Sequence, residues 1–310
     1  MPKETHVPWT GKSGQCWAGL LSGDCVRIRA AVTVVQAEGQ ERGYVQLLLS
    51  VLAPGLKYSA LQRISAGNAL AYLGDPRDLD EMVEVSAGEF LYSEDKTPLT
   101  LESFRIGKYP VTNTLYKRFL DANPAYRVPY VHADWARPYN WDQEKCIYPE
   151  GKANCPVVLV NWEDAQAYCQ WAGKRLPTQQ EWEKAARGTD GREWPWGDEF
   201  SSDNANTRES GIGHPTPVGC YPDGTSPYGC LDMAGNVWEW TASSRDEDTA
   251  VVCGGSWFSF QANARCAYRD WLYPDLRSHF VGFRVGVWTV GSQCAHNELA
   301  GQATDHMAQL

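Results

Sequence analysis

Ten cysteines and six histidines are the side chains of this sequence best suited to bind soft metals or act as nucleophiles. The cysteines stand at Cys16, Cys25, Cys146, Cys155, Cys169, Cys220, Cys230, Cys253, Cys266 and Cys294, and no two form a CxxC pair. Zinc knuckles and thioredoxin-type motifs need that spacing to bring two sulfurs onto one turn, so both are disfavoured. The histidines make neither an HxH nor an HExxH pattern, which disfavours catalytic zinc as well. Oxygen donors are better grouped, in A-N-T-R-E-S at 205–210 and D-M-A-G-N-V-W-E-W at 232–240. A further concentration is aromatic: W-F-S-F at 257–260 and D-W-L-Y at 270–273.

Positioning such groups needs a core, and 310 residues supply one, since a chain of this size buries roughly three quarters of its unfolded surface. With 43% hydrophobic and 21% charged residues the composition is globular, which argues against disorder, collagen and coiled coil. Two helices are well signalled. Asn161 can cap N-W-E-D-A-Q-A-Y-C-Q-W-A-G-K, with Trp162, Ala165, Cys169 and Trp171 as buried positions and Gly173 as the stop. Thr178 and Glu181 form a T-x-x-E capping box for the next helix, which ends near Gly188. A weaker helix covers Thr112 to Ala122. Residues 82–92 alternate like one half-buried strand, and short strands are expected at Trp238–Ala242, Val251–Trp257 and Gly282–Val287. Ahead of them, Leu61, Ile64, Leu70 and Leu73 fall at helical spacing before Gly74-Asp75-Pro76, marking a small helical lead. The organisation expected is a lead over 1–80, a loop-rich domain over 81–290 and a tail over 291–310. So many loops call for a clamp, and an oxygen-ligated metal is one.

A net charge of −10 provides no counterion-release force toward a phosphate backbone, so nucleic acid is not an expected partner. The most apolar stretch, Tyr44–Ala53, is about half the roughly 20 residues a spanning helix needs, so no membrane span is expected. The start, M-P-K-E-T-H-V-P-W-T-G, lacks an apolar signal region, and a cytoplasmic location with reduced thiols is the default expectation.

Taken in order, F-R-I-G-K-Y-P-V-T-N-T, P-V-V-L-V-N-W-E-D-A, W-P-W-G-D-E-F, D-M-A-G-N-V-W-E-W, C-G-G-S-W-F-S and A-R-C-A-Y-R with V-G-F-R-V closely resemble the formylglycine-generating enzyme/sulfatase-modifying factor family. The resemblance runs over about residues 86–288. It implies an α+β, C-type-lectin-like fold with little sheet, two main helices and abundant ordered loops.

It also implies calcium sites, whose ligand chemistry can be checked: calcium takes six to eight oxygens, mixing carboxylates with backbone carbonyls. Asp232 and Glu239 would give side-chain oxygens, with Gly235 and Val237 at positions that give carbonyls. A second set would be Asn206, Thr207, Ser210 and the Ile212 carbonyl; Ser210 stands where an aspartate is usual, and Glu209 is the available substitute.

Enzymes of the family oxidise a substrate cysteine through a copper site made of two thiols shortly after G-G-S. Soft thiolates suit Cu(I) and hydroxyls do not. Here Ser259 holds the first thiol position, and the second has no counterpart in a segment about three residues shorter. Copper is therefore not expected. Cys266 matches a non-catalytic position and is read as a buried apolar residue; Cys253, in place of the usual Arg, could neighbour the surface. The iron-dependent sulfoxide synthases of the same family also lack the thiols, but they carry a helical domain with a histidine triad, and this lead offers only His6 before residue 132.

The segment from about 257 to 285 is similar, more specifically, to the variable proteins of diversity-generating retroelements. Many bacterial relatives are Asn-rich there, whereas this chain has Phe258, Ser259, Phe260, Asp270, Leu272, Tyr273, Leu276, Ser278, His279 and Phe280. An AAC codon altered only at its adenines can become Phe, Ser, Leu, Tyr, His or Asp, so every one of these fits; Trp271 would need an AGG or AAG parent. The implied product is a non-catalytic binding protein holding an unidentified protein or other macromolecule on a C-terminal patch. Trp257, Cys266, Phe283 and Val285 should then point inward. An undiversified lectin-like module of a bacterial assembly and a copper-dependent oxidase are the alternatives.

Overall fold

The computed structural model describes residues 12–55 and 58–288. The expected tail, His6 and Cys294 lie outside these residues.

The lead is four helices: α1 (Lys12–Leu20), α2 (Cys25–Ala37), α3 (Glu41–Val51) and α4 (Ala60–Leu73). Local chemistry starts two of them. The Asp24 carboxylate accepts from the Val26 and Arg27 N–H groups, and Ser59 with Gln62 makes a full capping box on α4. Gly74, at φ 91°, closes α4 as the sequence suggests. Leu20, Ile28, Val35, Leu48, Val51 and Leu70 are buried between the helices, each worth roughly 1.5–3 kcal/mol of apolar burial. That cluster continues into Cys220 and Tyr221 of the following domain. Arg63 fastens the two parts: its guanidinium donates to the carbonyls of Tyr58 (2.6 Å), Asp203 (2.7 Å) and Cys220 (2.9 Å).

The domain opens with β1 (Met82–Val85), β2 (Gly88–Tyr92), β3 (Thr97–Leu101) and β4 (Phe104–Gly107). The single strand expected over 82–92 is thus two. Gly88, at φ 127°, turns the chain, so that β1 pairs with β4 while β2 pairs with β3. Three helices follow: α5 (Asn113–Ala122) capped by Thr112, α6 (Trp162–Trp171) capped by Asn161, and α7 (Gln179–Arg187) with the Thr178/Glu181 box. On α6 the buried positions are Ala165, Tyr168 and Cys169, whereas Trp162 is half-buried and Trp171 is 42% exposed. Trp171 lies off the face centred on 165 and 168–169, which leaves its ring against Phe119 at the rim.

The last strands are β5 (Trp238–Asp246), β6 (Thr249–Cys253), β7 (Arg269–Leu272), β8 (Val281–Phe283) and β9 (Gly286–Trp288). They form a four-stranded sheet in the order β7-β6-β5-β8, with β8 parallel to β5, while β9 joins β1 and β4. The strand expected to reach Trp257 stops at Cys253 because Gly254 and Gly255 both take positive φ. A Cβ on Gly254 would sit 2.9 Å from the Trp182 ring, so only glycine allows this approach. The strand expected over 282–287 breaks into β8 and β9, carrying the chain from one sheet to the other at Arg284. Between the sheets and helices lies a ring-rich core built on Tyr116, Phe119, Tyr168, Trp240 and Phe283.

Candidate binding surface and the loops that hold it

The loops beneath the C-terminal segment meet at Asn236, which is fully buried at φ 64°. Its side chain accepts from Thr216 N–H (2.9 Å) and donates to Thr216 O (3.2 Å). Its backbone N–H donates to Asn206 O (2.8 Å), and its carbonyl accepts from Trp257 N–H (3.0 Å). A Cβ on neighbouring Gly235 would lie 2.3 Å from Asn206 O, so the 205–210 and 232–240 loops approach as closely as glycine permits. One residue thereby fixes where the segment from Trp257 begins, a role the sequence does not announce.

Asp232 and Glu239 are both buried, but they are not equivalent. Glu239 is held by Arg284 through Oε1 (2.7 Å) and Oε2 (2.6 Å), and Oε2 also accepts from the Trp182 indole (2.7 Å). Carboxylate and guanidinium are both fully buried, so each neutralises the other. The Asp232 carboxylate accepts from Gly219 N–H (2.7 Å), and burial pushes its pKa up to about 6. Of the two, Asp232 is the carboxylate without a direct ion pair among the described residues, although Arg284 and Arg77 still attract it at longer range.

The second set is brought together by the turn at 208–210, but its side-chain oxygens are spent internally. Ser210 donates to Thr207 O (2.7 Å) and to Asn206 Oδ1 (3.2 Å), while Thr207 Oγ1 donates to Glu209 (2.7 Å). Ile212 packs partly buried against the helical lead. Glu209 in turn accepts from Gln261 N–H (2.9 Å), which ties this turn to the C-terminal segment. These oxygens are thus grouped, and an ion at this set would have to displace the Ser210 and Thr207 hydrogen bonds.

Of the patch residues, Phe258 (57%), Phe260 (53%), Trp271 (42%) and Tyr273 (68%) are exposed. Ser259, Asp270, Leu272, Leu276, His279 and Phe280 are half-buried, with Leu272, Leu276 and Phe280 rooted against the main core. Ser278 departs from the expectation: it is buried, and its carbonyl accepts from Leu159 N–H (3.0 Å) beneath the surface. Cys266, Phe283 and Val285 point inward as expected. Trp257 does not. It is half-buried, its ring 5.5 Å from Phe258 and 5.3 Å from His279, because the Asn236 bond holds its backbone at the base of the surface.

The rings are continuous on one side: Phe258 stacks with Phe280 at 6.4 Å, and His279 touches Phe280 at 5.4 Å. Three residues outside the segment join them. Trp135 and Tyr139 pack on His279 at 4.9 and 5.1 Å, and the Arg208 guanidinium lies over Phe260 at 4.7 Å and Phe258 at 5.8 Å. Burial lowers the His279 pKa, favouring a neutral ring among these aromatics. Asp270 and Trp271 stand on edge strand β7, where Trp271 lies under Arg245 at 4.0 Å. The sequence signal that could have drawn in Trp135 was its exposure potential in a polar loop; nothing local marked Arg208.

At the expected thiol position, Ser259 Oγ accepts from Ser256 N–H (3.1 Å) and lies 3.1 Å from Ser256 Oγ, closing a turn. Cys253 is buried, not near the surface, and burial pushes both its thiol and that of Cys266 upward. β6 places Cys253 opposite Arg269 inside the sheet, which is why it turns in.

Fold and site together define a loop-rich α+β domain with an aromatic surface at its C-terminal end and a helical lead packed on its flank. The chain belongs to the family of sulfatase-modifying factor enzyme 1-like domains, whose model matches residues 71–288. It is 32% identical over 269 residues to the inactive C-alpha-formylglycine-generating enzyme 2 of Mus musculus, covering 68% of this chain and 87% of that protein. The hercynine oxygenase of Mycolicibacterium smegmatis is 32% identical over 236 residues, covering 61% of this chain; the chain spans about half (54%) of that enzyme's length. Among solved structures, Treponema denticola variable protein 1 superposes with a TM-score of 0.56 at 19% identity, over 67% of this chain and 95% of that one. The C-type-lectin-like fold of the formylglycine-generating type is thereby established.

Proposed function

We propose that this chain is a non-catalytic binding protein that holds a macromolecular ligand on the aromatic surface of residues 257–285, as a retroelement variable protein. One observation carries the reading: Phe258, Phe260, Trp271 and Tyr273 are exposed on a backbone that buried loops hold fixed. Large aromatics rooted this way offer contact area for few frozen rotors, and clustered exposed rings mark interaction sites. With Ser259 closing a turn and Cys253 and Cys266 buried, the described residues after Gly254-Gly255-Ser256 offer no accessible thiol pair for the oxidase chemistry. The α1–α4 sequences contain no histidine, which argues against an iron triad in the lead.

The test is genetic and biochemical. A near-copy of the coding sequence for 257–285, with AAC codons at the ten positions and a neighbouring reverse transcriptase, is the expected finding. Its absence reduces the protein to an undiversified binding module. Stoichiometric Cu(I) binding, or turnover of a cysteine-bearing peptide, overturns the non-catalytic reading.

Calcium is the second part of the proposal, placed at Asp232 with the carbonyls of Gly235 and Val237. Glu239 is left out of the ligand set, since its carboxylate is committed to Arg284. When bound, the ion would supply a structural clamp for the 232–240 loop. Asp232→Asn should abolish calcium-dependent stabilisation, and retention of that response in the variant overturns the placement.

A further inference from the structure

We infer that the fixed residue Arg208 sets the chemistry of the ligand: the surface takes a protein segment in which a carboxylate side chain, Asp or Glu, sits beside an apolar one. This rests on the binding reading above and names what that surface selects. Arg208 is exposed, and its backbone N–H donates to Ser259 O (2.9 Å), so the residue is tied to the variable segment whatever side chains that segment carries. Its guanidinium carbon lies over the Phe260 ring, 4.7 Å from the centroid, and 5.8 Å from the Phe258 centroid. Among the described residues, no carboxylate or carbonyl accepts a hydrogen bond from that guanidinium. The nearest acid in sequence, Glu209, has its two oxygens on Thr207 and Gln261.

A guanidinium stacked on rings keeps its N–H fork in the plane between them, pre-ordered for two parallel bonds to a carboxylate. Arginine beside aromatics is also the composition of interface hot spots. Phe258 and Phe260 flank the fork, so an apolar side chain next to the carboxylate finds a ring to cover. A sugar would instead need several hydroxyl partners, and two of the patch's three are committed, Ser259 in the turn with Ser256 and Ser278 by burial, which leaves the exposed Tyr273 phenol. A nucleic acid would meet a chain of net charge −10 in which, among the described residues, only Arg208 and Arg245 lie over rings of the patch, too few cations to follow a phosphate backbone.

The experiment passes phage-displayed random dodecapeptides over the immobilised full chain, then measures one enriched peptide and its Asn/Gln counterpart by fluorescence anisotropy. Enriched peptides should carry Asp or Glu beside Phe, Leu or Trp, and the amide counterpart should bind about 10- to 100-fold more weakly, the range of a charge-assisted pair. Arg208→Met, which keeps the stem over the rings, should erase that difference while both peptides retain weak binding. Enriched peptides without acids, no enrichment at all, or an undiminished acid-to-amide ratio in Arg208→Met each overturn the inference. The underlying reading has its own arm. A folded Phe258→Ser/Phe260→Ser/Phe280→Ser variant should lose both peptides, and if it keeps them the aromatic surface is not the binding site at all.

Discussion

Replacing Phe258, Phe260 and Tyr273 together by serine separates a surface built for contact from a core that merely reaches the solvent. These rings are 57%, 53% and 68% exposed, so each has given up less than half of its water contact on folding. Burying a whole Phe is worth roughly 1.5–3 kcal/mol, so each truncation should cost about 1 kcal/mol or less. Phe258 also loses its stacking on Phe280 at 6.4 Å, an added cost of about 0.5–1 kcal/mol. The triple variant should therefore be less stable by about 2–4 kcal/mol for three rings together and still fold. Phe283 is the control: fully buried among Tyr116 and Tyr168, it should cost about 3–5 kcal/mol on conversion to alanine by itself. Urea unfolding followed by tryptophan fluorescence reads both. If the triple variant loses more stability than Phe283→Ala, the rings are structural and the argument from exposure fails.

Other outcomes follow from the buried groups. Glu239→Ala should destabilise by about 3–5 kcal/mol, because Arg284 is left charged, buried and unpaired; a loss under 1 kcal/mol by chemical denaturation would show that the pair is dispensable. For that reason Asp232→Asn, and not a change at Glu239, is the informative calcium variant. The native protein should melt lower in chelator, by the equivalent of about 2.7 kcal/mol at a hundredfold excess of calcium over its dissociation constant, and the variant should show no shift. Alkylation of the native protein by iodoacetamide with peptide mass mapping should label the exposed Cys25 and spare Cys155, Cys220, Cys253 and Cys266 until the chain is unfolded; labelling of Cys253 in the native state would contradict its burial. Gly235→Ala should lower stability by more than about 1 kcal/mol, since φ 77° and the Asn206 carbonyl at 2.3 Å both oppose a Cβ; an unchanged unfolding midpoint would refute the tight loop contact.

What could be read from the sequence followed the range of the forces involved. Helices α5, α6 and α7 were legible to within a residue because Thr112, Asn161 and Thr178 act on N–H groups three residues away. The strands were not, since 82–92 divides only when β4 and β3 supply separate partners, and 282–287 divides only because two sheets claim its ends. The same limit applied to the site. Residues 257–280 carried a compositional signal of their own, but Ser278 goes inward through a bond to Leu159, and Trp257 stays at the surface through a bond to Asn236. Arg208 and Trp135 belong to loops distant in sequence, and only the fold sets them on Phe260 and His279. That separation bears on the proposed function. If diversification rewrites 257–285 alone, then Arg208, Trp135 and Tyr139 stay constant while the rings between them change. The constant residues would then decide which class of ligand can dock, and the rewritten ones which member of that class is held.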